Sequence, residues 1–598
     1  MNKKLILVIG VLFSITIQSQ TLKLEEIMKG NTFIGVPPEN ERWSLDGQKV
    51  YFEWNPNNEL GTSTYFWKNG LSKPELASPN DVAFSKLDFK KTSNPDLHYY
   101  IDKGSLFSYA LKSKTSKKLY QQSSPISNLQ MGAVPGILYF RQNENLFQFN
   151  TNEGSVIQIT NFRKGKAEDK PADKESFLKS QQEELFQFIR DQEALKKWNL
   201  AKSKTIKSDF PKPYFYGKNN FGSLKVDPKG NFATFRLIED SERKNEKMEV
   251  FITADGYNQI EDTKAKVSTD NLLASKFGVY DIAKDSVYFV NFSSLSHIQD
   301  VPKYFELYEK SKTTEKKDKL IVVQEPIYNE NGSYAIAEIR SQDNKDRWIV
   351  SLNLKKGTFQ ELDHQHDEAW IGGPGIPSYS FGRGTLGFLG DNETVYFQSE
   401  ETGYSHLYTY NLKSKKKTQL TKGNWEVRNV NLSKDKKSFY LTTTTTHPGN
   451  RDFYKLEVAN AVLQPILTKD GAHEVSLSPD ESTLIVRYSY KNKPWELYVA
   501  PNKKNTNLIQ ITTSTSESFK KYAWREPDVI TFKAQDGTPV NARLYKPQTA
   551  NANKAAILFV HGAGYLQNAH NYWSTYHREY MFHNLLVDLG YTVLDIDY

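Results

Sequence analysis

The ten residues Ala555–Gly564, AAILFVHGAG, determine how the C-terminal part of the chain is interpreted. The apolar run Ala556–Val560 is short and ends in a turn of small residues, which is typical of a buried parallel strand that opens into a loop. A helical pattern follows over roughly Ser574–Asp588, Gly590 ends it, and a second apolar strand covers Tyr591–Tyr598. Strand, loop, helix and strand together make a βαβ unit. The residues from about 526 onward therefore predict the beginning of an α/β sheet.

The composition favours several domains that are rich in β structure. With 598 residues the chain is too long for one domain. Aromatic residues make up 13% of the chain, and an aromatic and threonine-rich composition without long helical patterns favours strands. The net charge of +8 comes from lysines spread along the chain, so no basic stripe indicates a nucleic-acid partner. The lack of cysteine excludes disulfides, a cysteine nucleophile and thiolate metal sites.

Residues 1–20 have the pattern of a secretory signal peptide. Basic residues at the start precede an apolar core, Leu5–Ile17, and Ser19 and Gln20 lie near the expected cleavage site. The core is shorter than the roughly 20 residues that a membrane span needs, although an uncleaved anchor is the alternative interpretation. We expect an exported protein, periplasmic or extracellular, without a stable membrane anchor.

The middle of the chain, residues 21–525, repeats one layout of a polar turn, a strand, a hairpin and a second strand. The clearest turns, at Asp391, Asp435 and Asp480, are 44 and 45 residues apart. Repeats of this length with about four strands each are typical of β-propeller blades. Eight blades are favoured and seven would also fit the length; the alternative is a pair of β-sandwiches. Weaker copies of the turn occur at Asp46, Asp227, Asp285 and Asn331.

One segment of the predicted propeller, at about residues 164–205, has helical spacing instead. Lys164–Lys174 is highly charged, and Ser176–Ser203 repeats its apolar residues at helical intervals. The sequence therefore predicts a helical insertion within or between blades. Its polar face carries Glu183 and Glu184.

These features in this order resemble the dipeptidyl peptidase IV branch of the prolyl oligopeptidase serine peptidases, and especially its exported bacterial members. The resemblance is carried by the blade sequence Tyr396–Leu412, by Gln419–Val427, by the hairpin Val529–Pro547 and by the HGAGY turn. It implies a β-propeller followed by the start of an α/β-hydrolase domain over residues 526–598. It also implies a peptide substrate, no cofactor, and a homodimer as an allowed assembly, since dimers are common in the family.

Catalysis in this family uses a Ser-Asp-His triad whose serine lies in a G-x-S-x-G turn. The sequence contains no G-x-S-x-G, and the family places it after the strand that ends at Tyr598. Asp595 and Asp597 precede that position and are not triad candidates. We expect that these 598 residues contain no residue of the catalytic triad and that the sequence is truncated before the serine. We also expect that a protein of this sequence has no peptidase activity. The alternative is a non-catalytic propeller that binds a partner and carries a vestigial hydrolase tail.

Two sets of binding residues are predicted. Hydrolases of this fold draw an oxyanion donor from the HG turn, so the candidates are His561, Gly562 and Tyr565; His561 stands where the resembled branch has a tyrosine. The resemblance also offers Glu183 and Glu184 as a pair that binds the substrate's free amino terminus. The alternative for His561 is that it only shapes the loop. The alternative for Glu183 and Glu184 is that they lie on a solvated helix face.

No metal site is predicted. The histidine pair His364 and His366, with Asp363 and Asp367 beside it, is the main cluster of potential ligands and is interpreted as a polar loop. We also expect the strand Thr592–Tyr598 to form the edge of the predicted α/β sheet and to leave an apolar, unpaired edge there.

Overall fold

The computed structural model describes residues 22–166, 190–199, 202, 210–240, 244–266, 273–307, 316–379, 382–562 and 566–597. Contacts divide the chain into two units. The first contains the residues up to Lys86 together with those from Asn424 onward, and the second is Leu87–Gly423. Within the described ranges, no helix combines the length and apolarity that a membrane span requires.

Most of the described chain forms small antiparallel sheets, numbered here in chain order. Sheets 1–3 contain β1 (Val36–Trp43), β2 (Lys49–Asn55), β3 (Ser63–Lys68) and β4 (Glu75–Leu76); β5 (Lys90–Lys91), β6 (Leu97–Asp102), β7 (Ser105–Ala110) and β8 (Thr115–Tyr120); and β9 (Ile126–Met131), β10 (Ile137–Gln142), β11 (Asn145–Asn150) and β12 (Ser155–Gln158). Two short strands follow, β13 (Phe162–Arg163) and β14 (Tyr214–Phe215). Sheet 4 contains β15 (Asn220–Val226), β16 (Phe232–Ile238), β19 (Ser275–Asp281) and β20 (Ser286–Phe289), and the hairpin β17 (Asn245–Val250) and β18 (Gln259–Ala265) is inserted within it.

The later sheets repeat the same arrangement. Sheet 5 contains β21 (Ile321–Val323), β22 (Ile327–Tyr328), β23 (Ala335–Ser341), β24 (Asp346–Asn353) and β25 (Thr358–His366). Sheets 6–8 contain β26 (Leu386–Phe388), β27 (Thr394–Ser399), β28 (His406–Asn411) and β29 (Lys416–Gln419); β30 (Val427–Leu432), β31 (Ser438–Thr443), β32 (Asp452–Glu457) and β33 (Leu463–Leu467); and β34 (Ala472–Leu477), β35 (Thr483–Tyr490), β36 (Lys493–Pro501) and β37 (Ile509–Gln510). Sheet 9 contains β38 (Asp528–Lys533), β39 (Pro539–Tyr545), β40 (Ala556–Val560) and β41 (Thr592–Ile596). The named helices are α1 (Leu24–Met28), α2 (Asn31–Ile34), α3 (Pro79–Ser85), α4 (Glu517–Lys520) and α5 (His577–Asp588).

The predicted acidic turns close hairpins through their side chains. The Asp391 carboxylate accepts hydrogen bonds from the backbone N–H groups of Glu393 and Thr394, at 3.0 and 2.9 Å. This is the local bonding that makes aspartate a turn residue. Asp227 and Asp285 both lie in sheet 4, so the predicted turns mark six sheets rather than seven. Sheets 2 and 3 were missed; their central hairpins turn at Lys103 and Asn143, both with positive φ.

The hydrophobic clusters lie between neighbouring sheets. In the second unit they join sheets 2 and 3, 3 and 4, 4 and 5, and 5 and 6. In the first unit one cluster joins sheets 7 and 8, and another joins sheets 8 and 1. In the second of these, Phe52 and Trp67 of sheet 1 pack with Ile485 and Leu497 of sheet 8. Sheets that bury both faces against their neighbours are propeller blades. The described residues contain eight such sheets before sheet 9. The number of blades and their closure into one ring stay predictions.

The predicted helical insertion is described only in part. Residues 190–199 and 202 are helical, and the parallel pair β13 and β14 lies on either side of this segment in the chain. Most of Ser176–Ser203 lies outside the described residues, and so do Glu183 and Glu184.

Sheet 9 has the strand order β38-β39-β41-β40, with β40 and β41 parallel and the other pairs antiparallel. The expectation that Thr592–Tyr598 forms the unpaired edge is wrong. The crossover through α5 carries the chain past β40, so that β41 is inserted between β39 and β40. The edge strands of the described sheet are β38 and β40, and Leu558 and Val560 of β40 are 63% and 55% exposed.

The N-terminal helices belong to the core of sheet 9 and not to a blade. Ile27 of α1 and Phe33 of α2 are buried in one cluster with Met581 of α5 and Val593 of β41. The described residues before β1 therefore pack against the C-terminal part of the chain.

A buried charged cluster joins sheets 5 and 6. Glu338, Arg340 and Arg347 are fully buried, and Arg347 Nη2 lies 3.0 Å from Glu338 Oε2. Arg347 also donates to the carbonyl of Gln398, and Arg340 donates to the carbonyl of Ile371. These bonds fix the loop that follows β25.

Removing one of these charges should destabilise the second unit. Arg347→Ala leaves the buried Glu338 carboxylate without the guanidinium that neutralises it. We therefore expect the free energy of unfolding to fall by about 3–5 kcal/mol. Urea unfolding followed by tryptophan fluorescence measures it. Lys90→Ala removes an ion pair with the 79% exposed Asp88 and serves as the control, which should be unchanged. Equal midpoints for the two variants would contradict the assignment.

Candidate active site

The HG turn and the end of β41 meet at one edge of sheet 9. Because β40 and β41 are parallel, their carboxyl ends lie together, and His561 follows β40 as Asp597 follows β41. His561 Nε2 lies 3.2 Å from Asp597 Oδ1, and His561 Nδ1 lies 3.0 Å from the carbonyl oxygen of Gly562. The His561 side chain is only 1% exposed, whereas Gly562 is exposed. The third candidate, Tyr565, lies outside the described residues.

Asp597 also binds the segment that follows the turn. Its carboxylate accepts the backbone N–H groups of Asn568, at 2.7 Å, and of Ala569, at 3.1 Å. The neighbouring Asp595 accepts the side-chain amide of Asn568 at 2.9 Å. Burial raises the pKa of Asp595, and the Asn568 hydrogen bond and the nearby Arg543 charge oppose that rise. The two carboxylates therefore act as anchors for backbone and amide groups.

Arg543 of β39 supports the same segment from inside the sheet. Its side chain is fully buried; Nε donates to the carbonyl of His570 at 2.9 Å, and Nη2 donates to the carbonyl of Tyr572 at 2.6 Å. The rings of His570 and Tyr572 stack with centroids 3.6 Å apart. Burial and the adjacent Arg543 and Arg451 charges hold the pKa of His570 well below its ordinary value, so that ring is neutral.

Residues 567–573, called the strap below, connect sheet 9 to the blade loop 446–451 between β31 and β32. Asn571 donates its backbone N–H to the carbonyl of Gly449 and its side-chain amide to Asn450 Oδ1, both at 2.9 Å. Arg451 Nη2 donates to the Tyr572 hydroxyl at 3.0 Å, and its guanidinium lies 4.7 Å from that ring. Sequence reasoning missed these residues; the polar run NAHNYW after the turn was the available signal.

The comparisons with known proteins agree with this architecture. A family model described as the dipeptidyl peptidase IV (DPP IV) N-terminal region matches residues 311–495. Dipeptidyl peptidase 4 of Trichophyton rubrum is 28% identical over 264 residues, which is 43% of this chain and 33% of that protein. Dipeptidyl peptidase 4 of Arthroderma otae is 30% identical over 218 residues, 35% of this chain and 27% of that protein. The crystal structure of Porphyromonas gingivalis dipeptidyl peptidase 4 superposes with a TM-score of 0.60 at 12% identity, covering 97% of this chain and 74% of that one.

The chain is dipeptidyl peptidase IV-like. The predicted fold, a β-propeller followed by the start of an α/β-hydrolase domain, is confirmed. The match spans about a third or less of the length of the two curated relatives, both of which are named dipeptidyl peptidases. The likeness therefore shows the fold, and the activity, the position of the triad, export and truncation stay predictions.

His364 and His366, the histidine pair of the sequence analysis, belong to an ion-pair network around Asp346 of β24. His364 Nε2 and His366 Nδ1 lie 2.9 and 2.8 Å from Asp346 Oδ1, and Lys319 bonds the other carboxylate oxygen. Over the part of the chain that the structure describes, no group of three or more such side chains is arranged to hold a metal ion. Burial alone would raise the pKa of Asp346, but the hydrogen bonds from His364, Lys319 and His366 outweigh it and lower the pKa to about 2.

This network predicts a window of pH in which it stabilises the fold. The depressed Asp346 pKa contributes about 2 kcal/mol above pH 4, which is lost as the pH falls towards 2. Although burial opposes it, bonding to Asp346 and Glu368 raises the pKa of His366, so its contribution is present below pH 6.5 and is lost as the pH rises.

The difference in unfolding free energy between the native chain and Asp346→Asn should therefore be largest between about pH 4 and 6.5. Urea unfolding at pH 2.5, 5 and 8 measures it. The exposed Glu306→Gln is the control and should give the same difference at each pH. A difference for Asp346→Asn that is constant across this range would show that the network does not titrate in this way.

Proposed function

We propose that the chain belongs to an exported serine peptidase that hydrolyses short peptides, either as a dipeptidyl peptidase or as an oligopeptidase. Its Ser-Asp-His triad lies in residues that follow Tyr598. The observation that carries this proposal is the HG turn at the carboxyl edge of sheet 9, in a chain whose residues 311–495 match the DPP IV N-terminal region. Active sites of open α/β sheets lie at this edge.

The proposed reaction begins with attack of the serine hydroxyl on the scissile carbonyl. The triad histidine takes the hydroxyl proton, and the triad aspartate orients that histidine. The charge that develops on the carbonyl oxygen needs fixed donors beside it. The turn after β40 is where this fold supplies one.

Among the oxyanion candidates, the geometry favours the turn itself over the His561 ring. Both ring nitrogens of His561 face protein oxygens, and the side chain is buried against Asp597. We infer that His561 holds the turn in place, which leaves Gly562 and Tyr565 as the candidates for the oxyanion donor.

The open edge of β40 supports the same location for the triad. A parallel strand added beside β40 would cover the exposed Leu558 and pair the free strand edge. The carboxyl end of that strand would lie next to the HG turn. A serine turn at that position would place the nucleophile beside the oxyanion donors.

A fluorophosphonate probe tests the proposal. We expect no labelling of protein made from these 598 residues and stoichiometric labelling of the product of the open reading frame extended past Tyr598. Labelling of the 598-residue chain would refute the placement of the serine. An extended frame without a G-x-S-x-G segment would refute the peptidase and favour a propeller that binds a partner without catalysis.

The amine-binding role of Glu183 and Glu184 is a separate proposal that rests on the sequence. Replacing both with glutamine in the extended product should raise KM about 10–100-fold for peptides with a free amino terminus, because a charge-assisted contact is lost. N-acetylated peptides should be unaffected. Glu193→Gln, an exposed carboxylate of the described segment 190–199, is the matched control. An equal effect on free and acetylated peptides would contradict an amine anchor.

A further inference from the structure

The strap lies directly on Gly449 of the blade loop. A Cβ atom at Gly449 would lie 2.9 Å from the Cα of His570 and 3.1 Å from the carbonyl oxygen of Ala569. Gly449 is not among the residues with positive φ, so its backbone would accept alanine without conformational strain. A side chain at this position would therefore collide with the backbone of the strap, and also with His447 Nδ1 of the blade loop, which lies 3.0 Å from the Cβ position.

The other side of the strap is bound to the HG turn through Asp597. Asn568 and Ala569 donate their backbone N–H groups to Asp597, whose Oδ1 lies 3.2 Å from His561 Nε2. Asn571, three residues after Asn568, donates to Gly449. The blade loop and the HG turn are therefore joined by a short path of hydrogen bonds that ends in the ion-pair contact between Asp597 and His561.

Two guanidinium groups hold the middle of this path. Arg543 binds the carbonyls of His570 and Tyr572 from below, and Arg451 binds the hydroxyl and ring face of Tyr572 from the blade. Buried polar networks of this kind fix one geometry, because any displaced member leaves a buried group unpaired. A shift of the blade loop must therefore move the strap rather than break away from it.

We propose that the strap is a positioning element through which the blade loop 446–451 sets the position of the HG turn. This inference rests on the proposed function, because the turn is taken to provide the oxyanion donors. Gly449, Asn571 and Asp597 are positioning residues in this scheme and touch no substrate. The propeller would then contribute to transition-state stabilisation.

The test uses Gly449→Ala as a wedge in the extended product, with Gly61→Ala as the control. A Cβ at Gly61 meets no atom within 4 Å, and Gly61 also lacks a positive φ. Since a displacement of about 1 Å can cost up to about 100-fold in rate, we expect kcat for Gly449→Ala to fall about 10–100-fold, with KM within about twofold. Gly61→Ala should match the native enzyme. A merely structural contact would lower the thermal midpoint and leave kcat per folded molecule unchanged, which would overturn the proposal.

A double-variant cycle tests whether the two ends act through one path. Asp597→Asn should also lower kcat, and the double variant Gly449→Ala/Asp597→Asn should lose less than the product of the two single losses. Losses that multiply would show independent effects and overturn the coupling.

Hydrogen exchange of the 598-residue chain separates this inference from the proposed function. Gly449→Ala should speed exchange of the backbone N–H groups of Asn568 and Ala569 as well as that of Asn571, because all three belong to the path. Unchanged exchange at Asn568 and Ala569 would overturn the coupling whether or not the extended product is a peptidase. If the native extended product neither labels nor hydrolyses peptides, the proposed function fails, and faster exchange would still support the mechanical link.

Discussion

A four-stranded propeller blade has two faces, and each is buried against a neighbouring blade. This constraint explains why every core cluster that joins blades in either unit spans two neighbouring sheets rather than one. It also explains why the first sheet packs on the last of the eight, where Phe52 meets Leu497. Without that contact sheet 1 would expose an aromatic face to water and sheet 8 an aliphatic one, at roughly 25 cal/mol for each Å² of apolar surface. The stability of each blade is therefore a property of its neighbours.

The sequence predicted the blades wherever one local rule sufficed. Asp391, Asp435 and Asp480 accept turn N–H groups within three residues, so their roles were visible without tertiary information. Counting one sheet for each such turn counted sheet 4 twice, because Asp227 and Asp285 both lie in it. It placed the open edge on β41, since the position of a strand in a sheet is set by the crossover and not by chain order. Fully buried charges such as Arg543 could not be distinguished from surface charges in the sequence, because their neighbours in the fold are distant along the chain.

The candidate site illustrates the same limit at the scale of single residues. The HG turn was found from its strand and its glycine, but the partner of His561 lies 36 residues later, at Asp597. Histidine was considered as a donor to substrate, and the structure directs both of its nitrogens towards protein oxygens. The chemistry of the turn therefore depends on which strand lies beside β40. The contacts of the strap with blade loop 446–451 depend in turn on how sheet 9 packs on sheets 7 and 8.

The packing of α1 and α2 in the core of sheet 9 has a consequence for biosynthesis. Ile27 and Phe33 reach their partners Tyr580 and Met581 only after some 550 further residues have been made. At roughly 5–20 residues per second, that interval lasts about half a minute to two minutes. During this time the first helices have no native partner, and sheet 1 has none until Ile485 and Leu497 of sheet 8 have been made. The helices α1 and α2 therefore become protected from proteolysis only once α5 and β41 have been made.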